Sequence, residues 1–205
     1  MTAPKYLAPD YEGAKQYVLG RLASELSPDL LYHGLRHTRD DVLPAAIRLG
    51  QAEGVKEQDL MLLQTAALYH DAGFLVARQD HERHSMDLAR AVLPRFGYSA
   101  GQIETVCDII AATRLPQRPE NLLQELMCDA DLDLLGRDDF MKLNYELLME
   151  VRRVTGRLIS DTDWLRAQVQ FLCDHRYFTA AARASRAEGE KRNIALLDAA
   201  LALYY

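Results

Sequence analysis

Residues 60–73 read LMLLQTAALYHDAG, an apolar run that ends in a His-Asp pair. Apart from Gln64, nearly every face of this segment is apolar, so the segment predicts a helix that runs through the core. His70 and Asp71 at its end must be hydrogen-bonded, paired or bound to a cation, because an unpaired buried charge is costly. The segment therefore predicts both the centre of the fold and a polar site at the end of a buried helix.

Helical spacing of apolar residues recurs along the rest of the chain, whereas the alternation and the tight turns typical of strands are missing from the sequence. Ser99 and Ser160 stand where helix N-caps belong, and Pro44 predicts a kink or a restarted helix. Four glycines follow apolar runs, as C-terminal caps would: Gly50, Gly73, Gly97 and Gly136. The pattern predicts an all-α chain with helices over 10–26, 37–50, 57–72, 82–96, 99–113, 120–134, 137–156, 162–174 and 178–203.

The composition limits the classes of partner and compartment. The 205 residues are 49% hydrophobic and carry a net charge of −6, which argues against a nucleic-acid polymer or an anionic membrane as the general partner. No apolar run is long enough for a membrane span, and Met1 to Tyr11 shows no secretory signal. Cys107, Cys128 and Cys173 form no CxxC pair and are predicted to be reduced, buried thiols. We therefore predict a cytoplasmic protein.

Two further segments carry the side chains that a metal site needs. Residues 32–38 read YHGLRHT, and residues 128–133 read CDADLD. A divalent cation would resolve the burial of His70 and Asp71, because imidazole and carboxylate ligands suit Zn, Fe, Mn or Ni. His37 and Asp131 are the natural additional ligands from these segments.

Each of these residues alone also has a purely structural interpretation. His70 and Asp71 can form an ion pair or a helix cap, and His37 can be a core histidine with satisfied hydrogen bonds. Asp131 can be an exposed helix acid, which is also how we interpret its acidic neighbours Asp129, Asp133, Asp138 and Asp139. The order H-G-x-x-H, A-x-x-H-D-x-G and D-A-D-L favours one shared site.

This ordered set resembles the HD superfamily of metal-dependent phosphohydrolases over residues 32–136. Residues 68–74 (LYHDAGF) are close to the family's central H-D motif, and residues 129–136 are similar to its D-A-D-x-x-x-L-G segment. The region beyond Asp138, with Glu150, resembles the tail of small bacterial HD hydrolases. The resemblance implies one all-α helical domain over 1–205, with an HD core at about 30–136 and a C-terminal helical extension at about 137–205.

The resemblance also implies a ligand set and a general acid. His37, His70, Asp71 and Asp131 would hold at least one divalent ion (Mn, Mg, Fe, Ni, Co or Zn), with Asp131 preferred over Asp129 because the family's ligand precedes the leucine. His33 corresponds to the histidine that protonates the leaving oxygen in cyclic nucleotide phosphodiesterases, although Gly34 replaces the usual asparagine.

His81 is placed like a segment that contributes to a second metal in HD-GYP phosphodiesterases, and His84 is a weaker candidate. The later histidine pair of that pattern is missing, since Ile109–Arg114 stands in its place. The sequence therefore predicts no complete binuclear site.

The predicted reaction is attack of a metal-activated water on a phosphoester, with Asp71 orienting the water and His33 donating the proton. Phosphate contacts are expected from Arg36 and Arg114, with Arg39 and Arg118 as further candidates, and a nucleotide-like substrate is expected from the family alone. Tyr69, Phe74, Tyr98 and Trp164 are interpreted as core residues, with stacking on a base as the alternative. A binding module without turnover and a di-iron oxygenase remain the competing functions, and the oligomeric state, a homodimer included, stays open.

Overall fold

The all-α architecture is confirmed in the computed structural model, which describes residues 8–205. The interpretation of Met1 to Tyr11 falls mostly outside the described residues. In that part of the chain the α-helices are α1 (Tyr11–Glu25), α2 (Leu43–Ala52), α3 (Glu57–Tyr69), α4 (His81–Val92), α5 (Ala100–Ala111), α6 (Leu122–Asp131), α7 (Phe140–Thr155), α8 (Asp161–Asp174) and α9 (Ala180–Ala202).

Short helices of other types join several of these elements. A π-helical turn, His37–Val42, runs directly into α2, and 3₁₀ turns cover Ala72–Leu75, Leu93–Phe96 and Asp133–Gly136. Pro44 lies in the first turn of α2, where its missing N–H breaks the regular hydrogen-bond ladder. The predicted restart of the helix at Pro44 is therefore confirmed.

Helix α3 runs through the middle of the main core, as its sequence predicts. Leu63, Ala66, Ala67, Leu68 and Tyr69 are all fully buried. The helix packs against α1, α2, α4, α5 and α6. The end of α3, with His70 and Asp71, is consequently surrounded by protein on most sides.

Of the three C-terminal helices, α7 and α9 pack against the 3₁₀ turn Asp133–Gly136, and α8 packs against α9. A second apolar cluster joins Leu134 and Leu135 of that turn to Phe140, Leu143 and other residues of α7–α9. The backbones of α9 and the turn touch at Gly136 and Gly189, where a Cβ on Gly189 would lie 1.9 Å from the Gly136 carbonyl oxygen. This close contact fixes the C-terminal helices against the end of α6.

Two carboxylates, Asp129 in the last turn of α6 and Asp133 in the 3₁₀ turn that follows, hold this docking, which corrects the interpretation of them as exposed acids. Asp129 is fully buried, and its oxygens accept hydrogen bonds from the backbone N–H groups of Phe178 and Thr179 at 2.8 Å. Asp133 is buried and pairs with Arg48 and Arg186. Both carboxylates are buried because they bind groups from α9 and the segment before it, a contact that local spacing does not reveal.

Cap residues mark the helix ends that the sequence predicted, with some exceptions. Ser99 forms a full capping box with Gln102, Ser160 caps α8, and Gly97 has the positive φ of a C-terminal cap, +77°. Gly50, Gly73 and Gly136 have no positive φ, so for them the prediction is wrong. Gly73 and Gly136 instead lie where neighbouring backbone leaves no room for a Cβ.

Cys107 and Cys128 are buried free thiols, as predicted. Cys173 is exposed instead, on the outer side of α8. Within residues 8–205, none of the helices has both the length and the apolar character that a membrane span requires.

Candidate metal centre

Three segments that are far apart in the sequence bring side chains to one buried point at the end of α3. His37 begins the π-helical turn, His70 and Asp71 directly follow α3, and Asp131 is the last residue of α6. His37, His70 and Asp71 are 2%, 1% and 5% exposed. The fold thus brings together the four side chains that the sequence motifs single out.

The donor atoms of these side chains lie within a few ångströms of one another. Asp131 Oδ1 is 3.3 Å from His37 Nε2 and 3.4 Å from His70 Nε2. Asp71 Oδ2 is 3.2 Å from His70 Nε2 and 3.6 Å from His37 Nε2. The ligand atoms of His37, His70 and Asp131 all lie within 4.8 Å of each other, which can hold a metal ion.

Hydrogen bonding leaves these atoms free for a cation. His70 Nδ1 lies 2.9 Å from the Ala67 carbonyl oxygen, so it carries a proton and Nε2 can present a lone pair to the cluster. His70 Nε2 and Asp71 Oδ2 are buried and have no hydrogen-bond partner in the protein. Buried polar atoms without a partner are rare, and a bound divalent ion would satisfy both.

The electrostatics of the cluster point to the same conclusion. Burial alone lowers the pKa of His70, but the adjacent carboxylates of Asp71 and Asp131 raise this pKa well above its usual range. The site therefore favours a positive charge strongly enough to overcome desolvation. A divalent cation meets that demand, and two imidazole nitrogens with two carboxylate oxygens suit Mn, Fe, Ni, Co or Zn.

His81 lies on the other side of Asp71, and His84 does not reach the site. His81 Nε2 is 3.4 Å from Asp71 Oδ1, so the two oxygens of Asp71 face different histidines. Gly73 allows this approach, because a Cβ there would lie 1.9 Å from the His81 carbonyl oxygen. The Ser85 hydroxyl fastens the same contact by accepting a hydrogen bond from the Gly73 N–H at 2.8 Å.

His33 is held by a buried glutamate of α7 that the sequence analysis gave no role. Glu150 Oε1 is 2.5 Å from His33 Nδ1, and Oε2 accepts the backbone N–H groups of Tyr32 and His33 at 2.8 and 2.9 Å. Burial raises the pKa of Glu150, but these hydrogen bonds lower it by more than burial raises it. The pKa of Glu150 is therefore below its usual value. Glu150 could have been noticed because it falls on the apolar face of α7, three residues after Leu147.

One cavity of about 730 Å³ connects these groups. His33, Asp71, His81 and Asp131 line one end of it, and the His33 ring stacks on Phe74 at a centroid distance of 4.7 Å. Trp164 also lines the cavity, whereas Tyr69 and Tyr98 are buried in the core. Two of the four aromatic residues that we interpreted as core therefore face the cavity.

The arginines expected to bind phosphate divide into two groups. Arg114 lines the cavity beside Asp80 and Glu82, and Arg78, which the sequence analysis missed, lines it as well.

Arg36 lies outside the cavity lining, with its guanidinium bonded to Asp41 at 2.7 Å and to Glu146 at 2.8 Å. Two carboxylates thus hold Arg36 away from the cavity lining, and its expected phosphate contact stays a prediction. Arg39 pairs with Asp40, and neither Arg39 nor Arg118 lines the cavity.

Comparison with known proteins agrees with the motifs. The family model for the HD domain matches residues 36–167, more than half of the chain. No curated protein and no solved structure matches this sequence. The matched range contains all four clustered donors and also Glu150. We conclude that the chain belongs to the HD domain family.

Proposed function

We propose that this protein is a metal-dependent phosphohydrolase that cleaves a phosphoester of a small molecule. The proposal is carried by one observation, that two carboxylates of the donor cluster, Asp71 and Asp131, line the same cavity as the His33 imidazole, which is paired with a buried carboxylate. Membership in the HD domain family supports it, because HD proteins are usually metal-dependent hydrolases.

His37, His70, Asp71 and Asp131 would hold the divalent ion. When bound, such an ion supplies a water of lowered pKa as the nucleophile and polarises the phosphoryl group. Asp71 is suited to orient the attacking water, because it lines the cavity and its Oδ1 is not one of the atoms that face His37 and His70. His81, 3.4 Å from Oδ1, fixes the position of this oxygen.

His33 is the residue placed to protonate the leaving oxygen. Its Nδ1 is engaged by Glu150, so the other ring nitrogen, Nε2, is the one left for a ligand in the cavity. With Nδ1 engaged by Glu150, a proton on Nε2 is the one that His33 can donate to the leaving oxygen. General acid catalysis of this kind contributes about 10²–10⁴ in rate.

Arg78 and Arg114 are suited to hold the phosphoryl oxygens at the rim of this end of the cavity. Guanidinium groups bind phosphate through two parallel hydrogen bonds. Arg114 has freedom to do so, since its distances to Asp80 and Glu82 are 3.8 and 3.9 Å, longer than direct hydrogen bonds.

The test is hydrolysis by metal-free protein reloaded with one metal at a time. We expect Mn²⁺, Mg²⁺, Fe²⁺, Ni²⁺, Co²⁺ or Zn²⁺ to restore hydrolysis of p-nitrophenyl phosphate or bis(p-nitrophenyl) phosphate. His70→Ala should lose both the bound metal, by elemental analysis, and the hydrolysis, because it removes a ligand from the buried cluster.

His84→Ala is the matched control, since His84 lies on α4 outside the cavity lining and should keep both properties. Metal-loaded protein that hydrolyses neither ester would contradict the proposal in favour of a binding module. Oxygen consumption with Fe²⁺ in the absence of ester hydrolysis would contradict it in favour of an oxygenase.

A further inference from the structure

The cavity that holds the metal centre continues into an apolar chamber built by the C-terminal helices. Leu147 and Val151 of α7 and Trp164 and Phe171 of α8 line this part, opposite Leu132 at the end of α6. All five are only partly buried. Large apolar side chains that stay half-exposed inside a cavity remain available to a ligand.

The chamber contains few polar groups, and some of these already form a hydrogen bond within the protein. Asn144 and Gln168 contribute the amides among the α7 and α8 residues of the lining. The Trp164 Nε1–H donates to Asn144 Oδ1 at 3.1 Å, so the polar atom of the indole is satisfied and its ring offers an apolar surface. A nucleobase carries several polar edge atoms, and those left without partners would weaken its binding.

The charged side chains of the lining lie at the other end of the cavity, away from the apolar chamber. Arg78, Arg114, His33 and His81 all lie at the metal end of the cavity, with the carboxylates that hold the ion. A ligand that matches both ends has an anionic phosphoryl group at one end and a hydrophobic body at the other. The whole cavity, about 730 Å³, falls within the range of roughly 300–1,000 Å³ that small-molecule sites occupy.

Resting on the proposed function, we infer that the substrates are phosphoesters with a hydrophobic alkyl or aryl group, and that this group occupies the chamber of Leu147, Val151, Trp164 and Phe171. The chamber selects the substrate through apolar burial, while the metal end performs the reaction on the phosphoryl group. Selection and chemistry are thus assigned to different ends of one cavity.

Binding of phosphonates that cannot be hydrolysed tests this inference without any turnover. Trp164 is the single tryptophan of the chain and lines the chamber, so its fluorescence reports occupancy directly. We expect Kd to fall in the order methyl-, butyl- and hexylphosphonate, by about two- to fourfold per methylene group. Hexylphosphonate should shift the Trp164 emission, and methylphosphonate should leave it unchanged.

Two substitutions on α7 provide a matched pair. Val151→Ser places a hydroxyl in the chamber and should reduce the dependence of Kd on chain length. Val154→Ser makes the same chemical change three residues later, at a residue that is 40% exposed and outside the cavity lining, and should leave that dependence intact.

Equal affinity for methyl- and hexylphosphonate in the wild-type protein would overturn the inference, as would tighter binding of the phosphonate analogue of adenosine monophosphate, in which a methylene group replaces the ester oxygen, than of hexylphosphonate. Either result leaves the proposed hydrolysis standing if the nitrophenyl esters are cleaved. If Kd depends on the alkyl chain length but the protein cleaves no ester, the result would support the apolar chamber and contradict the proposed function.

Discussion

Glu150 determines the position of His33. Its side chain is fully buried, and its two oxygens bind the His33 ring and the backbone N–H groups of Tyr32 and His33. A carboxylate in that setting holds the ring in one orientation. At the scale of single residues, the proposed acid function of His33 therefore depends on a partner 117 positions away in the sequence.

A comparison of esters with different leaving groups should reveal how far His33 depends on Glu150. Glu150→Gln is expected to slow hydrolysis of alkyl phosphoesters by at least about tenfold, because an alkoxide must be protonated as it departs. Esters of p-nitrophenol, whose leaving group needs no proton, should be affected much less. The measurement is kcat for the two ester types in the same variant.

Glu146→Gln is the control for Glu150→Gln. Glu146 lies one turn earlier on α7 and pairs with Arg36 outside the cavity lining, so its loss should affect both ester types equally. Equal slowing of both esters by Glu150→Gln would show that Glu150 has a structural role only.

At the scale of elements, the contact between the turn after α3 and helix α4 positions His81 against Oδ1 of Asp71, the oxygen that does not face His37 and His70. Gly73 lies in the 3₁₀ turn Ala72–Leu75, against the first turn of α4. Because a side chain at position 73 would meet the His81 carbonyl oxygen, the glycine is required by space and not by a positive φ. The close approach is what brings His81 to Asp71.

Gly73→Ala should therefore destabilise the protein, by about 1–3 kcal/mol as for other overpacked sites, and reduce activity by moving His81. Gly20→Ala is the opposite case, because Gly20 is in the interior of α1 with nothing within 4 Å of a new Cβ. It should stabilise the protein by about 0.5–1 kcal/mol and leave activity unchanged. Urea denaturation and the nitrophenyl assay measure the two effects, and a neutral Gly73→Ala would contradict this account.

At the scale of the whole molecule, the metal centre ties together elements that lie far apart in the sequence. The π-helical turn, the end of α3 and the end of α6 each supply at least one donor. An ion that binds only the folded arrangement stabilises it by mass action, by about 2.7 kcal/mol when its free concentration is 100 times Kd. Metal removal should therefore weaken the entire fold.

Thermal unfolding should show this linkage. We expect chelation to lower Tm by several degrees and added Mn²⁺ or Zn²⁺ to restore it, since about 1 kcal/mol shifts Tm by roughly 2–4 °C for a chain of this size. In His70→Ala the added metal should have little effect on Tm. A wild-type Tm that does not respond to chelation or reloading would contradict the proposed site.

Local signals were sufficient for the helices and for the donor cluster. Apolar spacing and caps such as Ser99 placed each helix within a few residues, because these signals act over one or two turns. The motifs singled out His37, His70, Asp71 and Asp131, and the structure brings them together.

The parts that sequence reasoning missed depend on contacts between distant segments. Arg36 resembles a phosphate ligand in the sequence, which does not show that Asp41 and Glu146 bind it. Asp129 resembles an exposed acid until the segment before α9 is placed on it. Phe74 and Trp164 have core-like sequence surroundings but face the cavity. Periodicity along one helix does not identify the partner across the fold.

The position of Glu150 and Trp164 late in the chain has a consequence during translation. As the polypeptide leaves the ribosome, all four donors have been made before α7 and α8 appear. A nascent or prematurely terminated chain that stops after α6 carries the four candidate metal ligands. It lacks Glu150, the partner of His33, and the helices that form the apolar chamber. The order of synthesis therefore keeps the reactive centre incomplete until the C-terminal helices arrive.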